Sequence, residues 1–110
     1  MNPNISMEED TLKVQLYGEI DHHAAKNIRE MTDTFIQQNH PRQVKLDFSH
    51  VSFMDSSGIG LIMGRYRMMS LCGGTLRVVN VPESLRKMMT LSGLDALQII
   101  EKRELPYDHS

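Results

Sequence analysis

A chain of 110 residues, 40% apolar and 24% charged, has the length and balance of one globular domain, long enough to fold around one core without disulfides or a structural metal. A net charge of −2, three phenylalanines, three tyrosines and no tryptophan argue against a nucleic-acid module and give no pull toward an anionic membrane. The single cysteine, Cys72, cannot close an internal bridge and reads as a packing residue; with no secretory signal and no apolar run of about 18 residues, a cytoplasmic location is expected.

In chain order, Ile5 and Met7 predict a short edge strand, hairpinned through Glu8, Glu9 and Asp10 onto a longer one. In that longer strand Leu12, Val14 and Leu16 alternate with Lys13, Gln15 and Tyr17, and Gly18 is expected to end it. Asp21 is placed to cap a helix whose apolar positions Ala25, Ile28, Met31, Phe35 and Ile36 recur at helical spacing, stopping near Asn39 and Pro41. Val44, Leu46 and Phe48 alternate as the second main strand. A loop then leads to a helix from Ser57 onward, with Leu61, Ile62, Arg65, Tyr66 and Met69 on the sheet side and Gly73 and Gly74 closing it. Thr75 to Asn80 reads as the next strand. Pro82, Glu83 and Ser84 open a third helix with Leu85, Met88 and Met89; Gly93 stops it, with Leu94 placed for a Schellman-type contact, and Ile99 and Ile100 mark a last short strand. Strands alternating with helices predict an α/β layer pair on a mostly parallel sheet. The polar stretch from Glu104 to Ser110 reads as a loosely held tail.

The stretch "FMDSSGIGLIMG" at positions 53 to 64 concentrates the chemistry. A serine-hydrolase elbow needs Gly-x-Ser-x-Gly, but Met54-Asp55-Ser56-Ser57-Gly58 lacks the leading glycine, and spacing alone designates none of His22, His23, His40 or His50 as a base. Gly58, Gly60 and Gly64 miss the dinucleotide fingerprint by one residue, and no Gly-Lys-Ser/Thr supplies a phosphate-loop lysine. Asp21, His22 and His23 form a second cluster, but adjacent histidines diverge on a helix and make a poor metal pair. The plain structural role of Asp55 and Ser56 is to cap the helix that begins there. Capping does not explain Ile59 and Met63, which lie off the sheet-facing stripe, so an apolar docking surface beside the hydroxyls is expected.

"GEIDHH" at 18 to 23, "FMDSSGIGLIMGRY" at 53 to 66 and "LSGL" at 91 to 94 closely resemble the bacterial anti-sigma factor antagonists of the STAS domain family, nearest to the branch acting in the sporulation sigma F pathway. The resemblance covers nearly the whole chain in order, although the tail is shorter than is usual there. It implies a single STAS-like domain over residues 1–110, with a mixed, mostly parallel sheet of four to five strands and helices packed on it. It also implies a protein without catalysis, cofactor or metal. In that family the unmodified form binds an anti-sigma factor that is also a serine kinase and so frees the sigma factor. The kinase phosphorylates the first serine after the aspartate, here Ser56, and a serine phosphatase reverses the step. Asp21 matches the family's other interface turn, so Asp21, His22 and His23 together with Asp55, Ser56, Ser57, Gly58, Ile59, Gly60 and Met63 form the expected partner surface. Both strand-to-helix turns should lie on one edge, at the carboxyl ends of parallel strands. A second functional class stays open: a STAS-type module that binds nucleotide or lipid-related partners within a larger regulatory assembly.

Overall fold

The structure, a computed structural model, describes residues 2–101. The expected tail at 104–110 lies outside them. Strands β1 (Asn4–Glu8), β2 (Thr11–Ile20), β3 (Gln43–Met54) and β4 (Thr75–Val79) form one sheet in the order β1-β2-β3-β4. The β1–β2 hairpin is antiparallel and the two inner pairings are parallel. Helix α1 (His22–Asn39) connects β2 to β3, and α2 (Ser56–Leu71) connects β3 to β4. Helix α3 (Glu83–Leu91) and a 3₁₀ turn (Leu94–Leu97) follow.

The period-2 pattern of β2 places Leu12, Val14, Leu16 and Ile20 fully inside. Against them pack Ala25, Ile28 and Ile36 of α1 and Leu61, Ile62 and Met69 of α2, two helices that also touch each other and so share one face of the sheet. The other face is polar. Asn4 bonds Gln15 across strands at 3.1 Å, and Gln43 bridges Thr11 at 3.5 Å and Thr75 at 3.4 Å.

Strand β2 does not end at Gly18. It runs on to Ile20, because Gly18 takes a positive φ of 71° at an irregularity where β3 carries an extra residue. There are two such bulges. Gln15 pairs Asp47 while Tyr17 pairs His50, and Gly18 pairs Val51 while Glu19 pairs Phe53. Each adds a residue to β3, so its inward side chains fall at Val44, Leu46, Phe48, Val51 and Met54. Asp47 satisfies the first bulge: its Oδ1 accepts from the Ser49 amide at 2.9 Å and from Asn80 Nδ2 at 3.2 Å. Burial pushes this carboxyl up, but the donors from Ser49 and Asn80 outweigh it and hold it below the ordinary aspartate range.

Other expectations need correction. Ile99 and Ile100 form no fifth strand; Ile100 makes one parallel bridge to Val78. Met88 is partly exposed, unlike Leu85 and Met89. Leu94 is fully buried after Gly93, whose φ is +89°, but the bonds closing α3 run from Ser92 N to Met88 O and from Gly93 N to Thr90 O, short of the full Schellman pattern. Cys72 is exposed at the end of α2 and is not part of the core.

Candidate functional site

The two strand-to-helix turns lie side by side. β2 and β3 end in register at Ile20 and Met54, and the Asp55 amide donates to Ile20 O at 3.2 Å, tying one turn to the other. Each turn starts a helix through the same device. Asp21 Oδ1 accepts from the Ala24 amide at 2.9 Å, and Asp55 Oδ1 accepts from the Ser57 amide at 2.8 Å. The Ala24 bond holds the Asp21 carboxyl below the ordinary range, so it is ionised at neutral pH.

Ser56 is not a cap. It is the first residue of α2, exposed, and among the described residues its hydroxyl makes no hydrogen bond. Its hydroxyl is therefore open to solvent at a helix N-terminus. Among the described residues no histidine hydrogen-bonds it: His50 bonds Ser49 at 3.0 Å and lies tilted against Tyr17, while His22 and His23 are exposed and meet edge to face with ring centroids 6.1 Å apart. Among the described residues no cluster of His, Cys, Asp or Glu could hold a metal.

The remaining expected residues divide between two stripes of α2. Ser56, Ile59 and Met63 follow one another at spacings of three and four, so they share a face. Ile59 and Met63 are half-buried and packed against the core, which corrects the expectation that they face solvent. Ser57, Gly60 and Gly64 lie on the other stripe and line a cleft of about 580 Å³ shared with α1. Gly58 is buried between the stripes, where an added Cβ would overlap Met54 Cγ and Sδ. It permits α2 to start close against the sheet.

The apolar group that does stand out on this edge is Phe53, 51% exposed and paired with Glu19 beside the Asp21 turn. It was absent from the expected set. The signal was available: alternation counted from Val44 puts Met54 inside and Phe53 outside, because two bulges together shift the phase by a full period.

Arg65, placed on the sheet-facing stripe from sequence, is indeed buried, with its Nε 2.9 Å from Asp33 Oδ1 on α1. The N–H is not aligned on that oxygen, so the contact is an ion pair without a hydrogen bond, and Nη1 is also unpartnered. Burial pushes the Asp33 carboxyl up, against the pull of Arg65 and Arg29, and pulls the Arg65 guanidinium down. Among the described residues no helix is long and apolar enough to cross a membrane.

Comparison with known proteins agrees with this fold. The family model of the STAS domain matches residues 2–104. The chain is 36% identical over 107 residues to an anti-sigma F factor antagonist from Paenibacillus polymyxa, covering 96% of this chain and 92% of that one. It superposes with a TM-score of 0.81 on the anti-sigma factor antagonist SpoIIAA in its unphosphorylated form, at 33% identity over 93% of this chain and 88% of that one. With the phosphorylated form of SpoIIAA, a Bacillus cell fate determinant, the TM-score is 0.74 at 33% identity, covering 93% and 91%. Family match, identity and superposition agree, and the chain belongs to the STAS domain family, among its anti-sigma factor antagonists.

Proposed function

We propose that this antagonist acts as a single cytoplasmic domain that docks an anti-sigma factor, itself a serine kinase, through the edge formed by Asp21, His22, His23, Phe53 and the first turns of α2, and that phosphorylation of Ser56 switches docking off. A serine phosphatase restores it. The observation that carries this reading is Ser56 itself: an exposed, unbonded hydroxyl on the edge where two capped helix starts are tied together.

The switch follows from electrostatics. A phosphoserine adds about −1.5 to −2 charges, and a helix N-terminus favours an anion there by roughly 0.3 to 1 kcal/mol. The neighbouring Asp55 carboxylate opposes it by a comparable amount, so the isolated fold changes little. In the docked complex the phosphate must shed water, which costs several kcal/mol unless the partner supplies matched donors. A difference of about 3 kcal/mol weakens binding by roughly a hundredfold. The same fold in the unphosphorylated and phosphorylated forms of SpoIIAA supports a switch by charge rather than refolding.

The test is incubation with the cognate kinase and ATP, followed by phosphopeptide mapping and affinity measurements on both forms. The expected outcome is phosphate on Ser56, an affinity loss on the order of a hundredfold, and amide shifts confined to the edge. A Ser56→Ala chain should bind and remain permanently active; Asp21→Ala should weaken docking while the chain stays folded. Phosphate on Ser57, or large shifts across the sheet, would reject the assignment or the mechanism respectively.

A further inference from the structure

We propose that the docking surface continues from the edge onto the helix-free face of the sheet, where Tyr17 and His50 join Phe53 in contacting the anti-sigma factor. The inference rests on the docking reading and adds to it an aromatic anchor outside the two helix starts.

Strands β2 and β3 outrun their neighbours. β1 pairs with β2 over residues 11–15 and β4 with β3 over residues 43–47, so among the described residues 17–20 and 50–54 pair only with each other. This two-stranded ribbon ends at the docking edge, where the Asp55 amide meets Ile20 O. Its inner face packs into the core through Ile20, Val51 and Met54. Its outer face carries Tyr17 opposite His50 and Glu19 opposite Phe53; Tyr17 is half-buried and the other three are exposed. A two-stranded ribbon with one open face gains from being covered.

Five phenylalanines and tyrosines fall within the described residues. Phe35, Phe48 and Tyr66 pack into the core, whereas Tyr17 and Phe53 both stand on this one outer face. The Tyr17 ring centroid is 5.2 Å from that of His50, and His50 Nδ1 is 3.0 Å from Ser49 Oγ, so the tyrosine is braced before a partner arrives. An aromatic ring fixed in advance loses little freedom on binding, and such rings are the usual anchors of an interface. The far end of the same face differs in kind: Thr11, Gln43 and Thr75 are linked to one another at 3.5 and 3.4 Å, so their polar groups are already engaged.

The patch suits an apolar surface that offers a hydrogen-bond donor to Glu19. A second copy of this chain fits poorly. Residues 14–25 and 46–64 contain Glu19, Asp21, Asp47 and Asp55 and no Lys or Arg, so a two-fold contact would oppose acids with nothing to offset them. Phe53 and the Ser56 turn lie three residues apart, which gives the patch and the edge to the same partner.

The experiment measures the affinity of the unphosphorylated chain for its cognate anti-sigma factor, with dispersed amide spectra confirming that each variant folds. Tyr17→Thr/His50→Ser, in which threonine keeps strand propensity, should weaken binding by at least about tenfold, while Tyr17→Phe retains it. Gln43→Ala, at the far end of the same face, should change affinity by less than about twofold. Asp21→Ala tests the edge separately. If Asp21→Ala weakens binding and Tyr17→Thr/His50→Ser does not, the proposal is overturned and the docking edge stands; if neither weakens it, both fall. A loss at Gln43→Ala equal to that of the double variant would overturn the assignment to the ribbon. Self-association seen by sedimentation and abolished by the double variant, with anti-sigma factor binding intact, would overturn it in favour of a second copy.

Discussion

Gly58 and Gly60 lie two residues apart in one helix, yet the same substitution should move stability in opposite directions. Replacing either with alanine removes the conformational penalty of glycine in a helix, a gain of about 1 kcal/mol. At Gly60 the methyl enters open space and the gain stands. At Gly58 it would overlap Met54 Cγ and Sδ and lie 3.5 Å from Ile20 Cγ2. Met54 is 1% exposed and Ile20 fully buried, so the thioether chain has no solvent to swing into, and overpacking of this kind costs about 1 to 3 kcal/mol. The propensity gain cancels in the difference between the two variants, leaving the packing cost alone. Gly58→Ala should therefore be less stable than Gly60→Ala by about 1 to 3 kcal/mol, or roughly 4 to 12 °C in melting midpoint at about 4 °C per kcal/mol. Urea unfolding with equal slopes would show that the effect is stability and not a change in compactness. Met54→Ala should cost less in the Gly58→Ala background than in the parent chain, the coupling expected of residues in contact. Equal stability of the two alanine variants would refute the packing role of Gly58, and with it the explanation of how α2 starts so close to the sheet.

Three further outcomes are expected. Because Asp55 and not Ser56 caps α2, Asp55→Ala should lose about 1 kcal/mol in urea unfolding while Ser56→Ala stays near the parent value; a loss at Ser56 instead would reassign the cap. Asp47 has a lowered folded-state pKa, so its contribution is present above the ordinary aspartate value and disappears as pH falls through the lower folded one. Stability measured down a pH series should thus fall more steeply in the parent chain than in Asp47→Asn across that acid range, and parallel curves would contradict the bulge-capping role. Arg65→Met should cost about 3 kcal/mol, near the lower end for a broken buried pair because Asp33 keeps 23% of its side chain exposed. Asp33→Leu/Arg65→Met should recover most of that loss in thermal melting; a double variant no better than the single one would show that the guanidinium packs the helices by its stem alone.

Local signals in the sequence specify most of the framework. Strict alternation at Leu12, Val14 and Leu16 identifies β2, the helical spacing from Ala25 to Ile36 identifies α1, and aspartates at 21 and 55 mark both helix starts, because periodicity and capping depend on residues within one or two turns of each other. The motif at 53–66 locates the edge on the same basis. What the tertiary structure decides depends on residues far apart in the chain. The two bulges exist only in the pairing of β2 with β3, so neither the run of β2 past Gly18 nor the pairing that sets Phe53 beside Glu19 follows from alternation in either strand alone. Arg65 reads as one member of a sheet-facing stripe until α1 brings Asp33 to 2.9 Å from it, and Gly60 reads as part of a docking turn until α1 supplies the other wall of a cleft. Ser56 and Asp55 offer oxygens to the same free amides of α2, and sequence position does not rank them. The backbone settles the choice: at Asp55 it is extended, at φ −99° and ψ −169°, which turns that side chain back onto the Ser57 amide, while Ser56, already helical, keeps its hydroxyl toward solvent.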